Sequence, residues 1–136
     1  MRDTDRLFEP PDFPFVPKHR SLTEIMRDNN LASLGDAFVN FVYSLALSLR
    51  EGKPVGGKLN NATLASALKK AGLRQMLPFR MDRHRQANAA EALIVYAWLV
   101  GLLSLKEILR IISNSKNIED SWETLLQKIV EKSGDS

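Results

Sequence analysis

A chain of 136 residues with no cysteine and two histidines is sized for one domain with a real core, and it excludes a disulfide framework, a thiolate metal site and a histidine-rich zinc centre. Its 44% hydrophobic and 26% charged residues are those of an ordinary soluble globular protein. A formal net charge of +3 and a pI near 9.3 permit a polyanionic partner without requiring one.

The first residues, Met1-Arg2-Asp3-Thr4-Asp5-Arg6, interleave acids with bases and lead into no apolar core, so no secretory signal is read and a soluble cytoplasmic protein is expected. Residues 1–20 hold four of the six prolines, Pro10, Pro11, Pro14 and Pro17, among Phe8, Phe13, Phe15 and Val16. This is an extended arm. Two readings stand for it: a segment lying across the domain or onto a second subunit, and simple terminal disorder. One helical domain over 21–132 and a frayed tail over 133–136 complete the expected organisation.

Ser21-Leu22-Thr23-Glu24 has capping-box form and opens a short helix to about Arg27, with Asp28-Asn29-Asn30 as a break. Leu31 to Leu49 then runs for a helical length with Asp36 as its only charge. Apolar residues recur at Leu31, Leu34, Phe38, Val42, Leu45 and Leu49, and the other side carries Val39, Tyr43 and Leu47. Such a helix is expected to be buried. A carboxylate in it must lose water, at a cost in free energy unless a cation or hydrogen-bond donors replace that water.

Gly52 and Pro54 stop that helix, and Val55 to Lys58 is a loop without the residue order of a phosphate-binding P-loop. Asn60 or Asn61 caps a helix carrying Leu64, Ala65, Leu68 and Ala71, closed by Gly72; a short piece from Leu73 to Met76 precedes Pro78. Lys69, Lys70, Arg74, Arg80, Arg83 and Arg85 follow closely, against Asp82 alone. This segment fits phosphate binding and equally fits a solvated surface. Ala87 to Leu103 repeats the earlier design, an apolar helix with Glu91 as its only charge, near the minimum length for a membrane span but supplied with apolar helical neighbours to pack on. Ser104 caps an amphipathic helix through Leu105, Ile108, Leu109 and Ile112, and Asn117 starts the last, whose Trp122, Leu125, Leu126, Ile129 and Val130 share one face. No strand alternation appears, so the class is all-α.

The two lone acids admit two readings. Converging carboxylates are what a hard cation such as Mg²⁺ binds, together with water and phosphate oxygens. Alternatively, Ser33-x-x-Asp36 and Asn88-x-x-Glu91 have the spacing of capping boxes. Neither His19 nor His84 has a usable nucleophile pattern around it, and His84 is read as a surface or RNA-facing residue. Trp98 and Trp122 are assigned to the core.

The order of three motifs adds to this. Leu34-Gly35-Asp36-Ala37, Leu59-Asn60-Asn61-Ala62-Thr63-Leu64-Ala65 and Ala89-Ala90-Glu91-Ala92-Leu93-Ile94 resemble, in sequence order, the signature helix, the N-N-x-T-L-A helix start and the F-E-A-L-I-G segment of the ribonuclease III family. The likeness covers about residues 29 to 112 and is closest to catalytic-domain-only members. It implies an all-helical endonuclease-domain bundle, a symmetric homodimer with a valley for duplex RNA, no membrane, and a site in which Asp36 and Glu91 bind Mg²⁺, or Mn²⁺, with Asn88 as a further ligand. Asn29 and Asn61 are auxiliary in this scheme, and Lys69, Lys70, Arg83 and Arg85 contact phosphates. The chain departs from larger members, which carry acids where it has Asn29, Ala32 and Asn88, and a frequent Glu where it has Ala62. The expected function is metal-dependent endonucleolytic cleavage of double-stranded or structured RNA; the alternative is a non-catalytic helical dimer that binds RNA or a protein partner with the same fold.

Overall fold

The computed structural model describes residues 13–78 and 81–134, which form six α-helices and one 3-10 turn, with no strand among them. The helices are α1 (Leu22–Met26), α2 (Asn29–Glu51), α3 (Asn61–Lys70), α4 (Arg83–Leu99), α5 (Leu105–Ser113) and α6 (Ile118–Ser133), with the 3-10 turn at Arg74–Met76. Phe8, Pro10, Pro11 and Arg80 lie outside the described residues.

Local chemistry sets the boundaries. Asp28, expected to fall in a break, instead caps α2: its carboxylate accepts the Leu31 N–H at 3.0 Å, so α2 begins at Asn29. Asp82 does the same for α4 through Arg85 N–H at 2.8 Å. Ser104 and Glu107 form a complete capping box, whereas Glu24 turns from Ser21 to accept the Arg20 N–H. Asn60 is the cap of α3, which leaves the Asn61 side chain available for other contacts. Gly52, with φ 73°, closes α2 in the left-handed region that other residues avoid.

The core is built around α4. Ten of its residues are buried, and it packs against α1, α2, α3 and α6. Its alanines, Ala87, Ala89, Ala90, Ala92 and Ala97, let those neighbours approach closely. Trp122 on α6 is fully buried, and half-buried Trp98 stacks on Phe38 at 5.0 Å. From Phe13 onward the N-terminal segment lies on α4: Phe13 meets Trp98 at 5.6 Å, and the Tyr96 hydroxyl donates to Pro17 O at 3.1 Å while accepting the His19 N–H at 3.3 Å. His19 then reaches Asp28 at 2.9 Å, tying this segment to the start of α2.

Here α2 differs from the sequence expectation. It is not buried all round, because Leu34, Phe41 and Leu49 are 41%, 54% and 66% exposed. It is long and apolar enough to cross a membrane by length and composition. In this fold its buried stripe of Leu31, Ala32, Gly35, Val39, Val42 and Ala46 faces the core, and α2 with α4 is the most extensive helix pair.

The two helices touch where Gly35 meets Glu91. A Cβ at Gly35 would collide with the Glu91 carbonyl and stand 3.0 Å from the Glu91 Cβ. Alanine would gain about 1 kcal/mol in helix propensity over glycine. The obstacle, however, is backbone and cannot swing away. Gly35→Ala is therefore expected to lose on the order of 1–3 kcal/mol net, measured by denaturant unfolding. Unchanged or increased stability would show that the helices do not meet there.

Candidate active site

Asp36 and Glu91 lie two turns inside their helices, so neither closes a capping box; Asp28 and Asp82 hold those positions. Because Asp36 directly follows Gly35, the close helix contact sets it beside Glu91. The two differ in environment: Glu91 is 3% exposed, whereas Asp36 is exposed. The buried carboxylate that the sequence points to is thus on α4, not α2.

Both acids line a cleft of about 350 Å³. From α2 come Asn29, Ser33 and Asp36, and from α4 come His84, Asn88 and Glu91. Each trio is spaced i, i+4, i+7, which places it on one helix face. Asn61, freed by the cap at Asn60, enters from the start of α3 and lies 3.3 Å from His84 Nδ1. The structure therefore gathers Asp36, Glu91, Asn88, Asn29 and Asn61 around one space.

Lys58 completes the lining and was not singled out from the sequence; nor was Asn40, which positions it. Residues 55–59 run as an extended strap along α2. Ser48 Oγ accepts the Val55 N–H at 2.9 Å and donates within 3.1 Å of Val55 O. Ser44 Oγ does likewise with Gly57, at 2.9 and 3.1 Å, and Asn40 Oδ1 accepts the Leu59 N–H at 2.7 Å. The match is geometric: four helical residues advance about 6 Å and two extended residues about 6.6 Å. Gly57 is needed for the approach, since a Cβ there would stand 2.8 Å from Leu47 Cδ1. Asn40 also donates to the Asp36 carbonyl at 2.9 Å and to its carboxylate at 3.3 Å, so one amide orients the acid and fastens the strap. The row Asp36, Asn40, Ser44, Ser48, polar every fourth residue in an apolar helix, was the available signal.

The basic residues divide. Arg85 lines an adjoining cleft of about 370 Å³ with Arg27, and this space shares Asn29, His84 and Asn88 with the first. Arg83 is exposed in the first turn of α4. Lys69 and Lys70 sit at the far end of α3, about 12 Å along its axis from Asn61. Lys70 there lines a separate groove with Glu119, Asp120 and Glu123.

Burial foremost, then a hydrogen bond to Asp36 and its negative charge, push the Glu91 carboxyl up to about 8, while Lys58 pulls the other way. Without a cation, Glu91 is protonated at neutral pH. No group of three or more His, Asp or Glu side chains gathers among the described residues in the manner of a metal cage. The cleft offers instead two carboxylates, amide oxygens and room for water, an oxygen donor set suited to a hard dication that keeps part of its hydration.

The chain is thus an all-helical domain whose central helix pair brings two carboxylates to one cleft, with Lys58 on its rim and Arg85 in the adjoining space. Residues 29–131 match the family model for ribonuclease III. The chain belongs to the ribonuclease III family, and its all-helical fold is of that kind. Among curated proteins no match is found.

The Glu91 shift carries a sign that can be measured. Its pKa in the folded chain lies above the ordinary 4.5, so the stability that Glu91 contributes to the metal-free protein is fully present below about pH 4.5 and is lost as pH rises through about 8. Glu91→Gln cannot ionise. Its stability relative to the parent should rise across that window, reaching about 3 kcal/mol at pH 7 in denaturant titrations without metal. Parallel pH profiles would refute the buried, protonated glutamate.

Proposed function

We propose that this protein is a metal-dependent endoribonuclease acting on double-stranded or structured RNA. The observation that carries the reading is the meeting of Asp36 and buried Glu91 in an amide-lined cleft of a ribonuclease III family domain. Asp36 and Glu91 would hold Mg²⁺ or Mn²⁺, with Asn88 as a third oxygen donor and Asn29 and Asn61 orienting water. Bound there, the dication would supply Lewis acidity, acidifying water and neutralising charge on the attacked phosphodiester. Asn40 holds the Asp36 carboxylate in place, and Glu91 must give up its proton for the pair to bind. Arg85 and Arg27 extend positive charge from the cleft, suited to backbone phosphates of a duplex recognised by shape and 2′-hydroxyls. The site of action would be the cytoplasm.

The functional unit in this proposal is a homodimer. Leu34, Phe38, Phe41 and Leu45 form an apolar stripe on α2, which Trp98 and Phe13 continue through ring contacts; Phe41 at 54% exposure is its centre. A second copy would cover it, as exposed apolar stripes of this kind mark interfaces.

The competing reading, an RNA-binding dimer without catalysis, draws on the two-carboxylate donor set. Asp36→Asn separates them. Cleavage of a paired RNA by the parent protein with Mg²⁺ or Mn²⁺ should fall on the order of 10²-fold or more in this variant, with salt-dependent RNA binding retained. RNA left intact by the parent, with binding preserved, would favour the scaffold. For the interface, Phe41→Glu should halve the mass measured by light scattering; an unchanged mass would exclude the α2 stripe.

A further inference from the structure

Lys58 is held on the cleft by the strap, and that fastening is elaborate for a loop lysine: three helix side chains each take a backbone group, and Gly57 is spared a Cβ so that the strap can lie down. The bonded residues are Val55, Gly57 and Leu59. In extended chain the residues between them face the other way, and Lys58 lines the cleft with Asp36 and Glu91. Yet among the described residues no carboxylate oxygen comes within 4.0 Å of its ammonium. It is a cation brought up to two acids and stopped short of pairing with them. A space is left for a ligand between them.

Charge decides which ligand. Two ionised carboxylates and one dication sum to zero, and so cannot balance a phosphodiester. Asn29, Ala32, Ser33, Asn61 and Asn88 in the lining add no third carboxylate that would hold a second dication. With Lys58 counted, the loaded cleft carries one net positive charge, the complement of one phosphodiester.

We propose that Lys58 is a catalytic residue whose ammonium donates to a non-bridging oxygen of the phosphate being cleaved and supplies the positive charge that a second metal ion would otherwise supply. This rests on the endoribonuclease reading. In the reaction, the oxygen of water joins phosphorus, the P–O ester bond breaks, and the departing oxygen takes up a proton from solvent while the attacking water gives one to solvent. Charge builds on the non-bridging oxygens as the new bond forms, so a fixed ammonium there stabilises the transition state more than the bound substrate.

The test compares the parent with Lys58→Met, Lys58→Gln and Lys58→Arg, using a fully paired RNA and Mg²⁺. At saturating metal and RNA, single-turnover cleavage should fall on the order of 10²- to 10³-fold in the Met and Gln variants, with partial recovery in Lys58→Arg. Mg²⁺ affinity without RNA, read by calorimetry at a pH above the Glu91 pKa of about 8 so that both acids are ionised, should be equal or tighter in Lys58→Met, because a repelling cation has gone. Metal-free RNA affinity should fall less than about tenfold, the effect of one phosphate contact. Parent-like cleavage in the Met or Gln variant overturns the proposal while leaving the enzyme reading intact. Weakened Mg²⁺ binding in step with lost cleavage also overturns it, since Lys58 would then act by shaping the metal site. Should the parent itself leave the RNA uncut, both readings fall together. Thermal melting identifies a misfolded variant, and the inference then stands or falls on the remaining folded substitutions.

Discussion

The contact between Gly35 and the backbone of Glu91 is the constraint on which this structure depends. Two helices cannot pass at that distance with a side chain between them, so one contributes a glycine and the other surrounds its glutamate with alanines. The crossing gives a core helix buried over most of its surface. It also places the residue after the glycine, an aspartate, against a carboxyl that has lost its water. Packing and chemistry therefore share one origin.

That arrangement leaves the two acids unequal. Asp36 is exposed and oriented by Asn40, whereas Glu91 is buried and holds its proton at neutral pH. A carboxyl in that state is a weak metal ligand until its proton leaves, so under the proposed function a dication entering the cleft would have to displace that proton. Metal affinity would then be linked to proton release and would depend on pH. Lys58 lowers the cost of ionising Glu91 without neutralising it through a close pair. The same residue, on the same strap, is available to an anionic ligand.

Much of the fold was legible. Periodicity and caps located each described helix; the caps at Ser21, Ser104 and Asn117 stand where expected, and of Asn60 and Asn61 it is Asn60 that caps α3. The start of α2 was misread because Asp28-Asn29-Asn30 has a turn-like composition, yet an aspartate cap needs only its own extended backbone and lets asparagines follow inside the helix. That shift of two residues, with the start of α4 moving from Ala87 to Arg83, removes the capping reading of both acids. Their meeting was visible through motif order, since periodicity within each helix says nothing about which helices touch. Lys58 and Asn40 were invisible because their roles are set by a backbone strap, and a strap has no periodicity of its own. His84 was placed at the surface, correctly for exposure, but the i, i+4, i+7 relation to Asn88 and Glu91 puts it on the cleft face.

The apolar composition that made α2 look wholly buried belongs to a helix with three distinct faces. At about 100° per residue, Gly35, Val39, Val42 and Ala46 share one direction, toward α4. The row beginning Asp36 and Asn40 turns from it to one side, toward the cleft and the strap. Leu34, Phe38, Phe41 and Leu45 turn to the other side, and by the same count lie roughly 170° around the axis from Asp36. A partner seated on that stripe would therefore cover the side of α2 away from the acids. The cleft would stay open in a dimer, and the demand for burial on one face would not compete with the demand for access on the other.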